Sequence, residues 1–132
     1  MTDQRKSILA GTFGPYVKQD SALIESYGGE ENIKKMIMAS VRQANEAGFD
    51  VDNIAFSKEP EDSIKRLEGK LRSQQWDGFL IGWGVRGNKD STALFEAAVN
   101  TARKVAPQTT LLFGNAPDDL SNTLQRNFDV SV

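Results

Sequence analysis

The sequence predicts an α/β fold in three layers, with helices on both faces of a mostly parallel five-stranded sheet. Three observations carry that expectation. Short apolar runs alternate with amphipathic helical segments from one end of the chain to the other, at the spacing of βα units. The third run, Gly78-Phe79-Leu80-Ile81-Gly82, is apolar throughout, as a strand covered on both faces must be. Right-handed crossovers then leave few arrangements for five strands, and the common one is 2-1-3-4-5, the flavodoxin-like order.

The first strand is Ser7-Ile8-Leu9-Ala10-Gly11. The connection that follows, residues 12–29, is far longer than a typical βα loop and reads as a lid, with Ser21 to Tyr27 forming a helical turn closed by Gly28-Gly29. The first helix runs from Glu30 to Ala47, where Ile33, Met36, Ile37, Val41 and Ala44 make one apolar stripe. Glu30 and Glu31 suit its positive N-terminal end, and Gly48 stops it. The polar content of Val51 to Phe56 marks an edge strand. The second helix opens at Pro60, a favoured first-turn residue, and turns Ile64, Leu67 and Leu71 inward, with Trp76 packed against its far end. After the third strand, a helix from Asp90-Ser91 uses Leu94, Ala98, Ala102 and Val105 and ends before Pro107. Thr109 to Phe113 is the fourth strand, and Pro117 to Asn127 is a short helix held by Leu120 and Leu124. Phe128 to Val132 alternates with period two and supplies the fifth strand at the second edge.

Residues 1–132 are one domain's worth of chain. Sixteen Lys and Arg against 18 Asp and Glu leave a net charge of −2, with no basic excess for coating a nucleic acid. No apolar stretch approaches the roughly 20 residues that span a bilayer, and the N-terminal residues show no signal-peptide core, so a cytoplasmic location is expected. The chain contains no cysteine and no histidine. Disulfides, thiolate nucleophiles and the commonest metal ligand are thereby excluded, and neither a metal nor a cofactor is expected. Acid–base chemistry would fall to Asp, Glu, Tyr or Lys.

Open α/β sheets bind ligands beyond the carboxyl ends of their strands, where the strand order reverses. Three glycine-led loops converge there: Gly11-Thr12-Phe13-Gly14-Pro15-Tyr16, Gly82 through Thr92, and Gly114-Asn115-Ala116-Pro117-Asp118-Asp119. In the first, Thr12 and Phe13 would line the crevice and Tyr16 would donate a proton or close it; the alternative is a surface loop packed by its own Leu23, Ile24 and Tyr27. In the second, Gly82, Gly84 and Gly87 match the dinucleotide spacing Gly-x-Gly-x-x-Gly, but after the third strand and without the distal acid, so a plain reversing turn accounts for them. Trp83 would stack on a flat ligand or enter a subunit interface. Arg86, Asn88 and the amides near Ser91 are placed to hold a carboxylate or phosphate, unless Arg86 pairs with Asp118 or Asp119. In the third, Asn115 would orient a carbonyl or shape its own loop, and Asp118 would act as general acid or base or serve the helix end with Asp119.

Specific families of this topology fit poorly. FMN-binding flavodoxins need a Thr/Ser-rich phosphate loop after strand one, and Phe13 and Pro15 stand there instead. Phosphoacceptor receivers need acidic strand ends, whereas these are Gly-Thr, Gly-Trp and Gly-Asn; a phosphocysteine carrier needs cysteine. The residues thus point to a small-molecule-binding protein acting on a polar, anionic metabolite at the carboxyl edge of the sheet, as a metal-independent lyase, isomerase or hydrolase. The alternative is a non-catalytic regulatory or protein-interaction module exposing an apolar patch near Trp83 and Phe13. Self-association as a homo-oligomer fits either reading.

Overall fold

The computed structural model describes residues 5–13, 25–57, 59–87, 89–116 and 118–128. Strands β1 (Lys6–Phe13), β2 (Phe49–Phe56), β3 (Gly78–Ile81) and β4 (Thr110–Phe113) alternate with helices α1 (Glu30–Glu46), α2 (Pro60–Arg72), α4 (Thr92–Val105) and α5 (Leu120–Asn127). A single helical turn, α3 (Trp83–Arg86), and a 3-10 turn, Lys89–Ser91, lie between β3 and α4. The strands pair in the order β2-β1-β3-β4, and all three pairings are parallel.

Among the described residues the sheet has four strands, which corrects the expected five. The proposed fifth strand began at Phe128, which ends α5 instead and sends its ring against Phe49 at 6.0 Å, below the Lys6 ammonium at 5.4 Å. Phe128 thus packs against residues at the starts of β1 and β2 rather than extending the edge beside β4; residues 129–132 lie outside the described ones. The first strand is longer than its apolar run because it pairs on both sides, all eight residues with β2. Strand β2 starts at Phe49, directly after Gly48 (φ +104), and is the expected edge. Of the long connection, Glu25 and Ser26 are helical and Gly28 and Gly29 have φ of 87° and 99°; residues 14–24 lie outside the described ones.

Strand alternation divides the core between the two faces. Ile8, Ala10, Leu80 and Leu112 face α1 and α5, meeting Ala44, Leu120 and Leu124. Leu9, Ile54, Phe56, Phe79 and Ile81 face α2 and α4, meeting Leu67, Leu71, Leu94, Ala98 and Ala102. Gly11 belongs to this second face, where a Cβ would stand 2.7 Å from Cε2 of Phe56, so any side chain there would displace that ring. Trp76 is buried as expected, its Nε1 donating to the Lys70 carbonyl of α2 at 3.0 Å. Among the described residues, no helix is long and apolar enough to cross a membrane.

Candidate functional site

Where the strand order reverses between β1 and β3, the sheet face under α1 ends in small residues. Ala10 and Thr12 come from β1, Gly82 and Gly84 follow β3, and Gly114 and Ala116 follow β4. Above them pass Ile33, Ile37, Ser40 and Val41, spaced along one side of α1 as helix geometry requires. Between the helix and the strand ends lies a cavity of about 120 Å³. Leu80 and Leu120 add apolar wall, and Tyr27, Asn53 and Trp83 contribute the larger polar-tipped groups. Thr12 Oγ1 donates to Asn53 Oδ1 at 3.3 Å, joining β1 to the edge strand across the cavity wall. Tyr27 is held by the turn into Gly28 and Gly29, with its carbonyl accepting from Asn32 Nδ2. Among the described lining residues Tyr27 is the sole ionisable side chain.

Arg86 faces a different space. Residues three apart on a helical turn share a side, so α3 stacks the Arg86 guanidinium on the Trp83 ring at 4.8 Å. The Phe113 ring centroid lies 5.8 Å from the same guanidinium. Nη2 donates to the Gly114 carbonyl at 3.2 Å and to Asn115 Oδ1 at 2.9 Å, while Nε is buried without a partner. A Cβ on Gly87 would overlap the Trp83 indole, so the third glycine of the Gly-x-Gly-x-x-Gly run is explained by packing. Arg86 and Asn115, together with Phe95, Leu111, Phe113, Arg126 and Asn127, line a shallow groove beside β4.

The two acidic residues before α5 differ. Asp118 is exposed and lines neither space. Asp119 is nearly buried and accepts from the Asn115 amide at 3.1 Å, Asn122 Nδ2 at 3.1 Å and Thr123 Oγ1 at 3.2 Å, with Arg126 Nη1 3.6 Å away. Burial pushes its carboxyl up, but the hydrogen bonds and the Arg126 charge outweigh that and hold it below the ordinary value. Its work is to fix the β4–α5 loop. The alternative pairing of Arg86 with an aspartate is not formed; Arg126 is the arginine beside Asp119.

The predicted site residues thus separate into groups. Thr12 and Trp83 share the cavity, and Arg86 and Asn115 share the groove. Ser91 is buried at the start of α4 and lines neither space. Tyr16 and Asn88 lie outside the described residues, as does the side chain of Phe13. Sequence reasoning assigned Ile33, Ile37 and Val41 to the core stripe and passed over Ser40, Asn53 and Arg126. Ser40 within an apolar stripe was the available signal for the cavity; nothing in the local pattern marked Arg126. Comparison with family models and with curated proteins finds no match for this chain.

Proposed function

We propose that the protein binds a small molecule at the carboxyl edge of its sheet, burying the molecule's apolar body between α1 and the ends of β1, β3 and β4. The cavity at the strand-order reversal carries this reading. Its volume of about 120 Å³ compares with the roughly 150 Å³ of an apolar cavity that takes up benzene. The space therefore suits one ring or a short branched chain. Most of the lining is aliphatic or glycine, so burial of apolar surface supplies the affinity, and the hydrogen-bonded Thr12 and Asn53 supply a polar contact point. This narrows the ligand from a purely polar anion to a molecule with an apolar body. A reaction on that molecule would use Tyr27, the one proton carrier in the described lining.

A thermal-shift screen of phenols, indole, benzyl alcohol and short branched carboxylic acids tests the proposal. A ligand at about 100 times its dissociation constant adds roughly 2.7 kcal/mol of stability. Ile37→Phe and Val41→Phe, which fill the space from α1, are expected to remain folded and to lose the shift. The proposal fails if no compound stabilises the protein, or if the filled variants are stabilised as much as the native chain.

A further inference from the structure

The groove beside β4 is built differently from the cavity, and we infer that it is a separate site for an oxyanion, a carboxylate or phosphate ester carried on a flat apolar group. Among the described residues strand β4 is an edge, so alternate peptide groups along it face away from β3. Two guanidiniums from different elements converge on its end. Arg126 Nη2 from α5 donates to the Phe113 carbonyl at 3.1 Å, and Arg86 Nη2 from α3 donates to the Gly114 carbonyl at 3.2 Å. The second bonds of these nitrogens go to Thr123 Oγ1 and Asn115 Oδ1. Both side chains are thus anchored through one nitrogen. Nη1 of Arg86 has no hydrogen bond among the described residues, and Nη1 of Arg126 has only Asp119, 3.6 Å away.

The charges are unbalanced. None of the ion pairs among the described residues includes Arg86. Among the described residues Asp119 is the one carboxylate paired with either arginine, and its oxygens are already engaged by Asn115, Asn122 and Thr123. The described lining of the groove holds two arginines and no acidic side chain, so its lining charge is positive. A guanidinium stacked on Trp83 and close to Phe113, with its Nε buried, is partly withdrawn from water and pre-oriented. An oxyanion reaching Nη1 of both arginines supplies the missing charge. Phe95 and Phe113, whose rings meet edge-on at 6.0 Å, and Leu111 give the same groove an apolar floor for a planar group. The site does not depend on the cavity binding a ligand, because the groove and the cavity are lined by different residues.

The test is an NMR titration of the full chain with phenyl phosphate, benzoate, inorganic phosphate and acetate. Saturable shifts are expected at Phe113, Asn115 and the Trp83 indole, with the aryl anions binding about tenfold more tightly than their small counterparts. Arg86→Met and Arg126→Gln are each expected to weaken binding about tenfold or more, and added salt to weaken it further. Either aryl anion binding in this way supports the site, and the stronger of the two identifies the headgroup. Absence of saturation with all four probes overturns it, as does binding unchanged in both variants or shifts confined to Ile37 and Val41. Should Arg86→Met fail to fold, the exposed Arg126→Gln variant decides alone.

Discussion

Helices α1 and α4 lie on opposite faces of the same sheet and close against it in different ways. Along α4, the inward positions Leu94, Ala98 and Ala102 are buried, and the sheet beneath offers the large side chains Leu9, Phe79 and Ile81. Small helix residues let the backbone approach, and large strand residues fill the space between. Along the first half of α1 the sizes are exchanged: Ile33, Ile37 and Val41 face Ala10, Gly82, Gly84 and Gly114. Large residues hold the helix away while the strand ends project too little to meet them. Only Ser40 and Ala44 of α1 are fully buried. One face is therefore a core, and the other is part core and part cavity.

Equal truncations on the two faces should break the comparison if it is wrong. Leu9→Ala removes a fully buried side chain from the packed face and is expected to cost about 4 kcal/mol in urea unfolding. Leu80→Ala removes a side chain already bordering empty space and is expected to cost about 2 kcal/mol. Equal losses would show that the α1 face is as tightly filled as the other.

A smaller effect separates the loop of the cavity wall from the helices. Asp119 keeps its carboxyl below the ordinary 3.8, so its stabilisation is complete above that value and is lost as pH falls through its lower folded-state pKa. Asp119→Ala should cost about 1–2 kcal/mol at pH 7, and the two proteins should converge in strongly acidic urea melts. A pH-independent difference would assign the loss to packing. The smallest effect is a gain: Val41→Leu adds one methylene toward the cavity and should stabilise by about 0.5 kcal/mol. A loss instead would mean that α1 closes onto the strand ends in solution.

Much of this architecture was legible in the residues. The apolar runs and the helical stripes gave the element order, and the all-apolar β3 pointed to the double covering that the two core clusters show. Pro60 and Gly48 marked helix ends because each restricts or frees a backbone angle locally. The expected fifth strand is not among the four described, and its first residue, Phe128, packs on Phe49, a partner distant in sequence that local alternation does not record. Thr12 and Trp83 were placed at the crevice by topology, and the structure sets them on the cavity wall. Arg86 was expected in the same crevice, and it turned aside because residues 83–86 are helical, which fixes its side with Trp83.

The sequence by itself determined what depends on neighbours along the chain: the alternation of strands and helices, the parallel pairing it demands, and the glycine-led strand ends. Tertiary structure alone decided which residues face a common space. Ile33 and Val41 become a cavity wall only opposite Ala10 and Gly114, and Arg86 and Arg126 become a pair only at the end of β4. Side-chain volume is local, but the volume left over belongs to two surfaces at once, and no single stretch of chain records it.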